Sequence, residues 1–439
     1  MFTVALIVLY SVTLAAKASE PATDNSSGTQ SQPQPAPLTL AECFTLALKQ
    51  SEIIAIDLNV VKQTDAHFLQ AMGSLLPHVN FSSFDQRLDK AGAGGTSSSG
   101  TSSIGIGRNV SERKFVLTQT LFSGFREFAA IKGSKMERSQ RINEELRAEQ
   151  LLFTDVANAF YLFLEEEEVL NAVQATRDAL IERISYLKER EGVGRSRPSE
   201  VVNAQAQLYS VEADLESVKS QLELARQLME FLIGKPFAGI AEQDKSIPPL
   251  ENETEYFAQA DTRSDVLAAK QAWGVSRKQI DIARADYFPT VSLESNFYTQ
   301  RTTFPEDSKW DAMLSVDVPI FEGTQTYGAV QEAALKASES ELTFKRTKRS
   351  ALQDIRDAYV QAKSAGLQTD AYQKALSASE ENYNLQKQDY GFNLVNNLDV
   401  LQAIQQLEDA KRSFIHSLYN AKRLYWQLRV AGGYTLPKE

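Results

Sequence analysis

Few residues of this 439-residue chain are of the types that carry enzymatic or metal chemistry. The three histidines, His67, His78 and His416, share no ligand-like spacing. Because a metal site needs several converging ligands, we expect no bound metal and no cofactor. The single cysteine, Cys43, allows no disulfide within the chain. It lies among apolar residues of a predicted helix, where it is expected to be packed and inert.

Two local motifs could also suggest chemistry. The run of acidic residues from Glu165 to Glu168 is expected to be a solvated outer face of a helix, because a catalytic carboxylate pair needs a pocket. The pair Gly192 and Gly194 indicates a turn after a helix and not a nucleotide fingerprint. No nucleophile and base are evident either, so we do not expect an enzyme.

The amino-acid composition and net charge limit the classes of binding partner. The chain is 43% hydrophobic and 23% charged, with a net charge of −11 and a pI of about 5.1. Phosphate binding needs a basic face, so nucleic acid is not an expected partner.

The N-terminus predicts export. Residues 1–16 are uncharged and mostly apolar, and Ala16-Lys17-Ala18 fits a signal-peptidase site. We therefore expect a signal peptide over 1–18. Residues 19–38 are rich in Pro, Ser and Gln and are expected to be a disordered lead-in. No other segment approaches a transmembrane helix, so a membrane span would have to be built from strands.

The placement of proline predicts very long helices. No proline lies between 78 and 197, between 199 and 235, or between 320 and 436, and proline breaks helix interiors. Apolar residues recur there at steps of three and four, as in a coiled-coil seam. The longest helices would be about 100 Å long. The predicted helices span 39–50, 51–75, 124–190, 198–234, 263–286, 323–388 and 397–431.

The two halves of the chain repeat each other. At an offset of 199 residues, Leu121-Phe122-Ser123-Gly124 aligns with Ile320-Phe321-Glu322-Gly323, and Gly192 aligns with Gly391. Upstream the offset is 212, so that Leu76-Pro77-His78-Val79 aligns with Phe288-Pro289-Thr290-Val291. A period of this size indicates duplication of one structural unit.

Each half also contains two candidate strands. Residues alternate between apolar and polar over about ten positions, as in membrane barrel strands. Aromatic residues near the strand ends, Phe122, Trp310 and Phe321, suit an interfacial girdle. An amphipathic sheet on a soluble protein would look the same. The predicted strands are 78–88, 112–122, 289–300 and 309–320.

Four strands cannot close a barrel, and open edges in lipid would leave backbone groups unsatisfied. Three copies would supply twelve strands, and closed symmetry is the rule for oligomers. Helices 51–75 and 198–234, placed end to end, would match the helix 124–190 at about 92 Å. The fold class expected is therefore mainly α with a small β part, in a trimer with a 12-strand transmembrane barrel and a 12-helix coiled-coil barrel.

In this arrangement the sequence resembles the TolC family of outer-membrane efflux proteins, over about 39–433. The resemblance is carried by LTLAECFTLALKQS, LLPHVNF and YFPTVSL, then by LTQTLFSGF and VDVPIFEG, and most specifically by NLDVLQAIQQLEDAKRSF. It implies a homotrimer in the cell outer membrane with a long periplasmic extension. The implied partners are outer-membrane lipid, a periplasmic adaptor (membrane fusion protein) and an inner-membrane transporter of RND or ABC type.

The resemblance also implies a domain plan. The first structural repeat would span 39–234 and the second 263–433. Between them, 235–262 would be an equatorial linker, and 434–439 would be a C-terminal tail.

It further implies a gate at the periplasmic tip. Asp399 matches an acidic ring position at the pore constriction, and Gln402 stands where a second acid can occur. Tyr390 matches a tyrosine that bonds to the first turn, with Glu200 as the expected acceptor. The basic residue expected on the second turn is replaced by Val395, and Arg195 and Arg197 of the first turn are candidates to substitute for it or to dock an adaptor.

The two turns of the tip are the expected adaptor-docking surface. The residues assigned to it are Gly192, Gly194, Arg195, Arg197, Gly391, Asn393 and Asn396.

One alternative from another class is a periplasmic coiled-coil adaptor or scaffold without a pore. Such a protein would need neither paired amphipathic strands in each half nor the long duplication. The cargo stays open, because drug efflux and type I protein secretion would share this body.

Overall fold

The computed structural model describes residues 37–87, 89, 109–242, 246–302 and 307–434. The expected signal peptide, nearly all of the lead-in and most of the C-terminal tail lie outside these residues. The described chain is mostly helical, with one small antiparallel sheet. Its elements are α1 (Leu40–Gln50), α2 (Glu52–Gly73), β1 (His78–Arg87), β2 (Asn109–Ser123), α3 (Arg126–Gly192), α4 (Pro198–Ile233), α5 (Glu253–Gln259), α6 (Ser264–Arg284), β3 (Thr290–Arg301), β4 (Trp310–Asp317), α7 (Gln325–Gly391) and α8 (Asn397–Ala431).

Two helices dominate the fold. α3 and α7 each contain 67 residues and are therefore about 100 Å long. Neither contains a proline, so no backbone hydrogen bond is lost along them. No helix in the described residues combines the length and apolar character needed to cross a membrane.

Helix boundaries follow local signals. A capping box starts α1, because Thr39 and Glu42 satisfy each other's free N–H groups. Ser51 then ends α1 and caps α2. Between β2 and α3, Gly124 and Phe125 both adopt left-handed conformations, with φ of 65° and 64°. A Cβ on Gly124 would lie 2.5 Å from the carbonyl oxygen of Ala285, so only glycine fits this junction.

The sheet has the order β1-β2-β3-β4, with every neighbouring pair antiparallel. β2 is longer than the strand expected from sequence, and it carries a register shift between Thr120 and Phe122. β1 and β4 are the edge strands of the sheet and have no further strand partner among the described residues.

The core is a long seam around α3. Near the sheet α3 packs against α2 and α6, and further along it packs against α4 and α8. Phe153, Val156, Phe160 and Phe163 of α3 are at most 1% exposed in this seam. Their spacing is a run of steps of three and four, as a buried helical stripe requires.

The segment expected to be an equatorial linker, 235–262, is partly structured. Ile240 forms a parallel bridge with Leu38, and α5 lies at its end. Tyr256 of α5 is 2% exposed and packs with Ile355 and Leu428. The segment is therefore attached to the helical body at two places.

The acidic run on α3 is not the solvated face expected from sequence. Glu165 and Glu166 are only 4% and 8% exposed, because α8 covers them. The Glu165 carboxylate accepts hydrogen bonds from Arg423 and His416. Only Glu167 of the run is fully on the surface. The expectation failed because the cations that compensate these charges lie about 250 residues away in the chain.

Candidate functional site

The tip of the molecule is formed by two turns, one after each long helix. In the first turn, Gly192 ends α3 and Gly194 has φ of +71°, which lets Arg195 N–H donate to the carbonyl oxygen of Arg190 at 2.8 Å. The side chains of Arg195 and Arg197 are exposed and form no ion pair with any described residue.

The second turn has the same design with a different residue. Gly391 ends α7, and Asn393 supplies the left-handed conformation with φ of +60°. Leu394 N–H then donates to the carbonyl oxygen of Asp389 at 2.9 Å. Asparagine tolerates this conformation better than most residues.

Asn396 and Asp399 form a capping box at the start of α8. The Asn396 side chain accepts from Leu398 N–H and Asp399 N–H, while Asp399 Oδ2 accepts from Asn396 N–H at 2.9 Å. Gln402 is exposed on the next turn. Asp399 therefore has a structural role in the single chain, and its assignment with Gln402 to a pore constriction stays a prediction.

The two turns are joined by a direct hydrogen bond. Tyr390 Oη donates to Glu200 Oε2 at 3.0 Å, which is the contact that the resemblance implies. Ser196 Oγ donates to the same carboxylate oxygen at 2.8 Å. Tyr390 is 5% exposed, and burial followed by the bond to Glu200 raises its pKa, so the phenol stays protonated and able to donate.

A buried arginine braces this contact from α3. The guanidinium of Arg183 lies 3.8 Å from the centre of the Tyr390 ring, and its Nε donates to Asn397 Oδ1 at 3.0 Å. Asn397 Nδ2 in turn donates to the carbonyl oxygen of Glu200 at 3.2 Å. Arg183 is 7% exposed, and burial lowers its pKa. It therefore contacts Tyr390 directly and Glu200 through one amide.

A second arginine holds the turn itself. Arg190 donates to the carbonyl oxygen of Tyr390 at 3.4 Å and to the side chain of Asn393. The resemblance implied that Val395 stands in place of a basic partner on the second turn, with Arg195 and Arg197 as candidates to substitute for it or to dock an adaptor. Within the described chain, Arg183 and Arg190 of α3 supply basic partners to the second turn, and the roles of Arg195 and Arg197 stay predictions. Arg183, Tyr186 and Arg190 are spaced by three and four residues, and that spacing was the overlooked signal.

The opposite end of the molecule has a sheet with two chemically distinct faces. Register places Phe81, Phe115, Phe297 and Trp310 in one row across the four strands, and this face is apolar. The other face carries Lys114, Asn296, Tyr298 and Asp311, which are linked through hydrogen bonds or ring contacts. The first three aromatic residues are 45% to 56% exposed and Trp310 is 65% exposed.

The described chain combines an apolar sheet face that is open to the surroundings with a helical body about 100 Å long, the architecture expected of a membrane-attached protein with a long extension outside the lipid. The family model described as outer membrane efflux protein matches residues 59–235 and 259–433. The chain therefore belongs to the outer membrane efflux protein family and is located in the outer membrane. This confirms the resemblance inferred from its sequence.

Individual relatives agree. Outer membrane protein TolC of Salmonella enteritidis is 23% identical over 337 residues, which are 72% of this chain and 67% of that protein. The fold is shared with VceC from Vibrio cholerae, at a TM-score of 0.76, 20% identity and coverage of 90% of this chain and 96% of that one. The CmeC outer membrane channel of Campylobacter jejuni gives a TM-score of 0.74 at 19% identity, with coverage of 97% and 96%.

Proposed function

We propose that this chain is one protomer of a homotrimeric channel-tunnel that exports substrates across the outer membrane and is gated at its tip. The observation that carries the proposal is a set of contacts that the duplication demands and that a single chain does not make. Within the chain, β2 pairs with β3, and α3 packs against α6 and α8. The duplication equates β1 and β2 with β3 and β4, and α2, α3 and α4 with α6, α7 and α8. The counterpart contacts would therefore join β4 to β1, and α7 to α2 and α4.

These counterpart contacts need a second copy. In the described chain, β1 and β4 are unpaired edges, and α7 has no substantial packing against α2 or α4. Gly124 is in tight contact with Ala285, whereas its counterpart Gly323 has the same φ of +65° and nothing within 4 Å. The offset of 212 residues predicts that Gly323 lies against Gly73 of the neighbouring copy.

The free side of α7 is suited to such a contact. Leu335, Leu342, Val360 and Leu367 are 63% to 69% exposed and lie on α7 with spacings of seven and eighteen residues. A seven-residue apolar repeat is the pattern of a coiled-coil seam that expects a partner helix. Under the proposal these residues meet α2 and α4 of the next copy.

Closure of a barrel requires more than one copy. The described residues of one copy form four strands, fewer than the minimum of about eight strands in bacterial barrels. We take the number of three copies from the resemblance. The trimer would have a 12-strand barrel and a 12-helix tunnel, with repeats over 39–234 and 263–433 joined by the linker 235–262.

Export also needs partners at the tip. Val193, Phe392, Leu394 and Leu398 are 65% to 75% exposed there, beside Arg195 and Arg197. An apolar patch with basic residues around it is typical of a protein interface. We assign it to a periplasmic adaptor that links the channel to an inner-membrane transporter of RND or ABC type.

A disulfide between strand edges tests the assembly. Within the chain, Thr118 pairs with Glu294. The offset of 199 residues makes Asp317 the counterpart of Thr118, and the offset of 212 makes Ser82 the counterpart of Glu294. The duplication therefore pairs Asp317 with Ser82 of the next copy. We expect Ser82→Cys/Asp317→Cys to form, on oxidation, a covalent product that ends at trimer size. Paired residues of neighbouring strands lie about 4.5–5.5 Å apart at Cα, within disulfide reach. Cys43 can stay, because it is 0% exposed and burial raises its pKa to about 12.

The control is Ser82→Cys/Met313→Cys. Met313 lies on the same strand four residues away, about 13 Å from the paired position, so this variant should stay monomeric on a denaturing gel. A ladder beyond trimer, or equal crosslinking of both pairs, would contradict closure into a trimer.

A further inference from the structure

A groove of about 540 Å³ lies where the sheet meets the helices, between α3 and α6. It is separate from the tip and adjoins the apolar face of the sheet. Its lining divides into an aromatic half and a cationic half. We call it the junction groove and define it by Phe125, Phe128, Phe288, Lys132, Lys278 and Arg284.

The aromatic half continues the apolar face of the sheet. Phe122 of that face meets Phe125 edge to face at 5.2 Å, and Phe125 lies 6.3 Å from Phe128. Phe125, Phe128 and Phe288 are 61%, 56% and 47% exposed. This row of rings therefore leads from the face assigned to lipid down to the first turn of α3.

The cationic side chains begin level with the aromatic ones and continue further from the sheet. Arg284 precedes Ala285, which contacts Gly124, whereas Lys278 lies opposite Gly133, next to Lys132. Lys132 follows Phe128 by four residues, a rise of about 6 Å. Lys278 is paired with Asp281 at 2.7 Å, whereas Lys132 and Arg284 are exposed and form no ion pair with any described residue. Three cations thus face one carboxylate, and the groove keeps a net positive charge.

The groove stays open in the proposed trimer, on which this inference rests. It lies on the seam between α3 and α6, a contact made within one chain. The contacts assigned above to the neighbouring copy use α2, α4 and α7 and the edges β1 and β4. No part of a second copy is therefore expected to fill it.

We propose that the junction groove binds one anionic glycerophospholipid from the leaflet on the helical side of the membrane. Its acyl chain would lie along Phe125, Phe128 and Phe288. Its phosphate would be bound by Lys132, Lys278 and Arg284. Aromatic side chains prefer the membrane interface, and each Lys or Arg near an anionic headgroup contributes about fivefold in affinity.

Lipid retention by the purified trimer tests this proposal. Trimers in detergent are mixed with phosphatidylglycerol or with phosphatidylethanolamine of identical acyl chains, and bound lipid is counted by native mass spectrometry. We expect three tightly held phosphatidylglycerols per trimer and at least about fivefold weaker retention of phosphatidylethanolamine. Lys132→Gln/Arg284→Gln should remove this preference without changing trimer size, because both side chains are exposed.

Two further variants serve as a control outside the groove and as a test of the contacts with the acyl chain. Lys135→Gln, on the same helix but against Phe68 of α2, should behave as wild type. Phe128→Gln should weaken retention of both lipids equally. The proposal is overturned if the wild type shows no preference, if the double variant keeps it, or if excess inorganic phosphate displaces the lipid, which would mark a free-anion site.

A failure of the proposed function would give a different experimental result from a failure of the lipid site. If the strand-edge disulfide gives no trimer, the assembly is wrong whatever lipid is bound. If that disulfide forms and the trimer conducts in planar bilayers while phosphatidylglycerol shows no advantage, only the lipid site is wrong.

Discussion

At the scale of single residues, the hydroxyl group of Tyr390 makes the direct contact between two turns whose residues are 190 positions apart in the chain. It does so inside a buried group in which Arg183 orients the ring and Asn397 fixes the backbone of Glu200. The hydroxyl can be removed without disturbing the ring. Its loss therefore isolates the bond from the packing.

We predict that Tyr390→Phe raises the open probability of the channel. A hydrogen bond to a charged group contributes about 1.5–3 kcal/mol, so each protomer should shift toward the open tip by at least about tenfold. Single-channel recording in planar bilayers measures the change. Tyr383→Phe is the control, because Tyr383 lies seven residues earlier on α7 and makes no hydrogen bond among the described residues. Equal behaviour of the two variants would remove the Tyr390–Glu200 bond from the gate.

At the scale of elements, buried charge attaches α8 to α3 and α4 of the first repeat. Glu165 of α3 receives Arg423 and His416, and Arg412 reaches Asp214 of α4. Glu166 lies beside Glu165 with one buried oxygen unpaired, and burial, then the charge of Glu165, raises its pKa. Loss of a partner is costly for Glu165, because its side chain is 5% exposed and its carboxylate would be left as an unpaired charge away from water.

We predict that Glu165→Gln lowers the free energy of unfolding by about 3 kcal/mol, because Arg423 would lose its buried partner. Glu167→Gln, two residues along and on the surface, should change it by less than about 0.5 kcal/mol. Urea denaturation followed by circular dichroism compares the two. Similar losses in both variants would mean that the burial of Glu165 is not maintained in solution.

The contact between Glu165 and His416 makes the attachment of α8 dependent on pH. The bond to Glu165 raises the pKa of His416 above the ordinary histidine value of 6.5, against the smaller effect of burial. A raised folded pKa means that the stabilisation is fully present below about pH 6.5 and is lost as the pH rises through the folded pKa. Histidine hydrogen–deuterium exchange should show His416 titrating above that value in the wild type and lower in Glu165→Gln. No difference between the two would exclude the pairing.

Elements that depend on local signals were predictable, whereas contacts between distant segments were not predictable from local patterns, and the Tyr390–Glu200 bond was expected only from the family resemblance. The long helices followed from missing prolines, and α3 and α7 begin and end within three residues of the expected positions. Glu165 and Glu166 were misread because their partners come from α8. Likewise, the spacing of Arg183, Tyr186 and Arg190 places them on one face of α3, but the contact of that face with Tyr390 depends on how α3 and α7 meet at the tip, which the spacing does not specify.

At the scale of the whole molecule, the family is known, and under the proposed function the cargo depends on which adaptor docks at the tip. Ser196 and Asn396 are unsuitable positions for a crosslinker, because Ser196 bonds to Glu200 and Asn396 caps α8. Val193 is a better position, since it is 70% exposed. Phe231 on the far end of α4 is 79% exposed and serves as the matched control.

We predict that Val193→Cys, carrying a photoactivatable maleimide in living cells, captures a periplasmic adaptor that Phe231→Cys does not. Cys43 is buried and would not compete for the label. Mass spectrometry identifies the captured protein. An adaptor that works with a proton-driven pump would assign small-molecule efflux, and one that works with an ABC transporter would assign protein secretion. If Val193→Cys is labelled fully and captures no adaptor, the tip does not dock one, and the exposed apolar residues around it require another explanation.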